Sequence, residues 1–312
     1  MVSSNNYSYE KATERNIGIV DETEQKMLKG ARVAIAGVGA VGGNYLITLA
    51  RMGVSNFKIA DPDIFEMPNL QRQAGAFLSH LNEKKVDAMK NMALDINPNI
   101  SIETFDQGVN DNTVDDFLKD VDVVIDGIEA FQIAPRRLLY RKAREQGKYV
   151  MCSAPIAYGA SLQIFDPNGM TFDRYYNIDD SMTRSEQIGV FLLGLAPNLL
   201  SKSMIDESKV DFEKEKGPAL ASTIALSTGV ICSEILKLLL KRNKPKCIPH
   251  AFYMDPYNWN FVKKSRRPIP FRWLQKLLLK IAFKKFPSLK RVYDKELAGR
   301  TSSLEIKQSL MI

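Results

Sequence analysis

The sequence predicts an α/β fold: a mostly parallel sheet flanked by helices, extended at its C-terminal end by antiparallel strands. Three observations predict it. Short apolar, β-branched runs alternate with segments of helical periodicity. A glycine-rich turn, Gly37-Val38-Gly39-Ala40-Val41-Gly42, joins the first apolar run to a helix. An acid, Asp61, closes the second run.

Taken in order, residues 1–10 are polar and read as a flexible N-terminus, and Lys11 to Lys29 reads as one helix anchored by Met27 and Leu28. Val33 to Ala36 is a buried parallel strand. The helical pattern after the turn runs through Tyr45, Leu46, Leu49 and Met52, and Asn56 to Ala60 is the second strand. Backbone N–H groups at Gly37, Gly39, Ala40 and Gly42 can approach a phosphate closely, and the helix N-terminus adds partial positive charge. Asp61, about 20 positions on, is placed to accept ribose hydroxyls. A glycine turn alone serves equally as a tight strand-to-helix junction with a solvated acid. Strand, turn, helix and acid in this order point to a Rossmann-like nucleotide site.

Ile100 to Phe105 is the third strand, Asn110 to Leu118 a helix, and Val121 to Asp126 the fourth strand. A basic helix, Arg136 to Gln146, precedes strands at Tyr149–Ser153 and Ala157–Phe165. Residues 166–217 are the least regular and read as a mobile substrate loop. An apolar helix at Ala221–Leu240 and a strand pair within His250–Lys263 end a domain spanning 11–264, its nucleotide-binding half at 30–165. Residues 265–312 form a basic, amphipathic extension. Its segment Phe271 to Lys285 suits its own domain, a partner or an anionic membrane, with 268–290 as the membrane contact. Thr301 to Ile312 reads as loose.

The chain has 312 residues, 45% of them apolar, and a formal charge of +7. That charge suits a triphosphate or an acidic partner as well as a membrane or nucleic acid. No nucleic-acid-binding signature accompanies it, so no nucleic-acid partner is expected. Cys152, Cys232 and Cys247 form no CxxC pair, and His80 and His250 stand alone. No zinc site is therefore expected, and Cys152 reads as buried and inert. Few thiols, a polar start and no apolar run of about 18 residues suggest a cytoplasmic protein without a spanning helix, with peripheral membrane contact as the alternative.

After Asp61 the chain continues Pro62-Asp63-Ile64-Phe65-Glu66-Met67-Pro68-Asn69-Leu70-Gln71-Arg72-Gln73, and later Glu83-Lys84-Lys85-Val86-Asp87-Ala88. This arrangement resembles the ThiF/MoeB/HesA-type adenylyltransferases of the ubiquitin-activating-enzyme-like superfamily. The resemblance runs from about Arg15 to about Lys263, and the N-L-Q-R-Q segment is its specific part. It implies ATP and Mg2+ as cofactors, with Asp61 on the ribose and Asn69, Arg72 and Gln73 around the nucleotide. Arg72 would take the α-phosphate or bridging oxygens, its guanidinium holding its charge at any relevant pH. Lys84 and Lys85 adjoin; family spacing favours Lys85 as the ammonium that neutralises charge at the α-phosphate. Glu14-Arg15-Asn16-Ile17-Gly18 is similar to a family segment whose arginine crosses a homodimer to the partner's terminal phosphates, which assigns that role to Arg15.

The fourth strand end carries Asp126 and Glu129 where relatives have two aspartates, the second a magnesium ligand. Ala130 replaces an asparagine. The family's two-CxxC zinc site is missing, and no cysteine lies between Cys152 and Cys232 to accept an acyl group as a thioester. The reading is therefore an adenylyltransferase that stops at the acyl-adenylate or hands it to an external nucleophile. Its substrate would be a ubiquitin-like protein or peptide with a free C-terminus. Two other readings use the same turn. A nicotinamide oxidoreductase leaves Asn69–Gln73 unexplained and lacks a proton-relay histidine. A non-catalytic nucleotide-binding scaffold would account for Glu129, Ala130 and the missing cysteines.

Overall fold

The computed structural model describes residues 7–195, 205–265 and 272–309. The chain begins with two short helices, α1 (Tyr9–Thr13) and α2 (Glu22–Gly30). The first Rossmann-like half follows: β1 (Arg32–Ala36), α3 (Ala40–Arg51), β2 (Asn56–Ala60), α4 (Lys85–Ile96) and β3 (Ser101–Phe105). The next elements are α5 (Val114–Leu118), β4 (Val123–Asp126), α6 (Ile133–Glu145), β5 (Tyr149–Ile156) and β6 (Gly159–Phe165). Then come α7 (Phe172–Tyr176), α8 (Arg184–Leu195), α9 (Ala221–Leu239), β7 (His250–Asp255) and β8 (Asn260–Ser265). Two further helices, α10 (Arg272–Lys285) and α11 (Pro287–Ser309), complete the described chain.

One eight-stranded sheet runs β3-β2-β1-β4-β5-β6-β7-β8. The first five strands are parallel, and β6, β7 and β8 extend the sheet antiparallel. Side chains on β1 alternate between two cores: Val33 and Ile35 pack with α3, α4 and α9, Ala34 and Ala36 with α5 and α6. Both faces of this strand are covered, which is why its sequence is a continuous apolar run. The strand order reverses direction between β1 and β4, and that crevice is where an open α/β sheet binds ligands.

Several boundaries differ from expectation. Tyr9 is buried and donates to the Gly53 carbonyl at 2.8 Å, so this residue of the segment expected to be flexible is held in place. Lys11–Lys29 is two helices, because Gly18 turns with φ of +107° and Asp21 starts α2 through a reciprocal bond with Glu24. Residues 166–195 are not an open loop: Phe172, Tyr175, Tyr176 and Phe191 fill the second core. The irregularity came from short helices that an aromatic cluster holds in place. Residues 196–204, within the expected substrate loop, lie outside the described part. The helix of the C-terminal extension also packs on its own domain, through Leu279 and Ala282, with Leu289 of α11 beside them. The helix α11 continues to Ser309 where a loose end was expected, and 310–312 lie outside the described residues.

By length and composition α9 could cross a membrane, contrary to the reading of the sequence. It lies instead against α3, β5 and β6. Tyr45 on α3 donates to Ser153 O at 2.8 Å, and Ser227 on α9 donates to the same carbonyl at 2.8 Å.

Candidate nucleotide site

The carboxyl ends of β1 and β4 meet through glycine. Gly37 has φ of +83°, and a Cβ there would overlap the Gly127 carbonyl. A Cβ on Gly42 would overlap the Gly37 carbonyl oxygen. Gly127 N–H donates to Ala36 O at 2.7 Å, and Gly37 N–H to Ala60 O at 2.6 Å. Gly39 caps α3 without a side chain, and the helix has no acid in its first turn. Its N-terminal partial charge is therefore uncompensated by its own residues.

Asp61 lies over this turn, 5% exposed. Its Oδ2 accepts from Val38 N–H at 2.9 Å and its Oδ1 from Asp63 N–H at 3.0 Å. Burial holds its carboxyl above the ordinary range, opposed by the Lys85 charge. Lys85 opens α4, is 6% exposed, and puts Nζ 4.0 Å from Asp61 Oδ1 and 2.8 Å from Asp63 Oδ2. Of the two adjoining lysines, Lys85 is the one beside Asp61. Lys84 points to Asp106 at 2.8 Å, on a more exposed surface.

Asn69 and Gln73 are both buried, in the turns after β2. Asn69 Oδ1 accepts from Glu66 N–H at 3.0 Å, and Gln73 N–H donates to Asn69 O at 3.0 Å. The Gln73 amide faces Gly39: a Cβ there would lie 3.5 Å from its Oε1. That Oε1 is buried and has no hydrogen-bond partner among the described residues. An orphaned polar atom beside a side-chain-free helix N-terminus is what a polar ligand would satisfy. Arg72 is partly buried, and its Nη1 donates to Pro68 O at 2.9 Å. It adjoins Gln73 in sequence, but no contact ties it to Asp61 or Lys85.

The expected metal ligands separate. Asp126, 2% exposed, is closed in an ion pair. Its Oδ2 accepts from Arg136 Nε at 2.8 Å and Tyr140 OH at 3.0 Å, and its Oδ1 from Ile128 N–H at 3.0 Å. The buried Arg136 guanidinium takes up its charge, so Asp126 does not fit the metal role. Glu129 is exposed, and its Oε1 accepts from its neighbour Ala130 N–H at 3.0 Å. A magnesium ion that arrives on a triphosphate needs only one or two protein carboxylates, and Glu129 fits that need. No cluster of three or more His, Cys, Asp or Glu side chains suited to a metal occurs among the described residues.

Reading the sequence missed Arg136. The guanidinium is buried and stacked 4.5 Å from the Phe191 ring centroid. Burial works against its charge, but Asp126 outweighs this and raises its pKa. The signal was available: Arg136 shares the inward face of α6 with Ile133, Leu139, Tyr140 and Ala143. An arginine on an apolar face needs a buried partner. Asp63, the partner of Lys85, was likewise overlooked.

Arg15 stands apart. It is exposed on the turn Glu14–Asn16, and Asn16 Nδ2 donates to Met52 O at 3.1 Å, tying the turn to the C-terminal end of α3. The glycine turn is at the other end of that helix, roughly 18 Å away. Within one chain Arg15 does not join the site. A cavity of about 710 Å³ lies elsewhere, along α6, where Arg137 pairs with Asp173 and Asp180. None of the expected site residues lines it.

Sheet order, glycine cradle and buried acid define a Rossmann-type nucleotide-binding protein. Residues 13–270 match the ThiF family, and the chain belongs to it. It is 30% identical over 155 residues to a molybdopterin-synthase adenylyltransferase of Haemophilus influenzae, covering 49% of this chain and 63% of that protein. It is 27% identical over 263 residues to ubiquitin-like modifier-activating enzyme 5 of Branchiostoma floridae, covering 77% and 56%. The matches thus span less than two thirds of either relative. The fold matches E. coli MccB, in a structure with AMPCPP and MccA, at a TM-score of 0.63 and 16% identity, covering 86% of this chain and 74% of that one.

Proposed function

We propose that the chain is an ATP-dependent adenylyltransferase. It would activate a carboxylate, the C-terminus of a ubiquitin-like protein or a peptide, to an acyl-adenylate. The observation that carries this reading is the convergence of Lys85 on Asp61 above the glycine turn, with the unpartnered Gln73 Oε1 facing it. A substrate carboxylate oxygen attacks the α-phosphorus, the bond to the bridging oxygen breaks, and pyrophosphate leaves. In-line phosphoryl chemistry asks the protein for positioning and charge neutralisation.

Asp61 accepts the ribose hydroxyls, and the N-terminus of α3 receives phosphate oxygens. Lys85 exchanges its exposed partner Asp63 for the α-phosphate, and Arg72 swings from Pro68 O to the same group. Glu129 would hold Mg2+, which when bound would supply positive charge to the leaving pyrophosphate. The protein is a homodimer, with Arg15 acting on the partner's nucleotide. Its exposure and its distance from its own turn support that role.

The cysteines support termination at the acyl-adenylate. Burial pushes the Cys232 thiol up to about 12 and the Cys247 thiol up to about 11. Cys152 is raised further, again by burial first. None is an activated nucleophile. The closed Asp126 favours one second reading, a scaffold that binds nucleotide without turnover. ATP–pyrophosphate exchange with candidate small proteins and peptides separates them: an adenylyltransferase exchanges label only with its acyl substrate present, and a scaffold never does.

A further inference from the structure

The helix α10 has two unlike faces. Gln275, Leu279 and Ala282 are buried against the domain. Trp273, Leu277 and Ile281 are 64%, 46% and 51% exposed. They recur every fourth residue and so form one stripe. Lys276, Lys280 and Lys284 interleave with them at the same spacing and are exposed. The sequence of α10, RWLQKLLLKIAFKK, contains no acid.

The neighbouring helix differs. On α11, Lys290 pairs with Asp294, and Arg291 and Lys295 both pair with Glu213. Lys276, Lys280 and Lys284 form no ion pair among the described residues. Among the described residues no acid pairs with this row of positive charge, and it flanks the exposed side chains of Trp273, Leu277 and Ile281.

We infer that α10 docks on an anionic lipid surface. Trp273, Leu277 and Ile281 enter the boundary between headgroups and acyl chains, while the three lysines meet headgroup phosphates. A tryptophan suits this depth, with an apolar ring body and a polar N–H. A second copy is a poorer occupant: a two-fold contact through this face sets one lysine row against the other.

The test is flotation of the full chain with phosphatidylcholine vesicles, with and without phosphatidylglycerol. The expected result is binding at least roughly tenfold tighter to the anionic vesicles, weakened by salt. The triple variant K276E/K280E/K284E should lose about tenfold or more of that binding with its melting curve unchanged. The chain has two tryptophans. In Trp259→Phe, the remaining Trp273 emission should shift to the blue with anionic vesicles only, a readout that needs no charge-reversed variant. Equal binding to both vesicle types, no binding to either, or full binding by the triple variant overturns the assignment.

Discussion

Lys85 Nζ lies 4.0 Å from Asp61 Oδ1, and both side chains are more than nine-tenths buried. The ammonium's closer partner is Asp63, at 2.8 Å, whose side chain is 64% exposed. The pair is open to solvent on its Asp63 side, which screens and weakens it. A phosphate can therefore draw Lys85 off Asp63 while Asp61 stays fixed on the Val38 and Asp63 N–H groups.

Gln73 is the first residue to test. Its buried Oε1 has no partner among the described residues, so Gln73→Leu should leave the free protein as stable or raise its stability by about 1 kcal/mol. Calorimetric ATP affinity should fall about tenfold, as expected for loss of one hydrogen bond to a charged ligand. Lower stability with unchanged affinity would place Gln73 outside the site.

The Asp126–Arg136 pair should behave as structure. Asp126→Ala strands a buried guanidinium and should cost about 3–5 kcal/mol in urea unfolding, with Arg136→Met similarly damaging. The double variant should recover part of the loss, since no unpaired charge remains. If Asp126 acted on magnesium instead, its single variant would keep full stability and lose only magnesium-dependent nucleotide binding.

The glycines should separate cleanly. Gly42→Ala puts a methyl into the Gly37 carbonyl and should yield little folded protein. For Gly39→Ala the nearest atoms are those of the Gln73 amide, at ordinary contact distance. It should fold within roughly 1 kcal/mol of wild type yet raise the KM for ATP, because the new methyl lies where phosphate oxygens approach. Circular dichroism and steady-state kinetics read the two effects separately.

The raised Asp61 pKa gives a pH test. A carboxyl that binds its proton more tightly folded than unfolded contributes most stability at low pH. That contribution declines as pH rises from the unfolded value, near 3.8, through the higher folded one. Asp61→Asn removes the decline. The stability difference, variant minus wild type, should therefore grow as pH rises across that window and then level off, as followed by urea midpoints. A difference that shrinks with rising pH would contradict the assignment.

Much of this was legible in the sequence because it is local. The turn Gly37–Gly42 and the strand ending at Asp61 depend on neighbours along the chain. The Asn69–Gln73 segment was marked by its residue order alone. What could not be read depends on tertiary pairing. Asp126 looks like a ligand until Arg136, ten positions on, closes on it. Residues 166–195 look irregular because α7 is a single short helix held by Phe165, Tyr140 and Phe191 rather than by its own periodicity. The break at Gly18 needed a backbone angle, not a propensity. For α10 the sequence offered its own domain, a partner or a membrane, and the structure buries only one of its faces.

ATP–pyrophosphate exchange by Lys85→Ala, measured beside wild type with the same acyl substrate, tests the central claim most directly. The account predicts that wild type exchanges label, while the folded variant is slower by about 10²-fold or more. Arg72→Ala should fall in the same direction. Exchange at the wild-type rate in Lys85→Ala would contradict it.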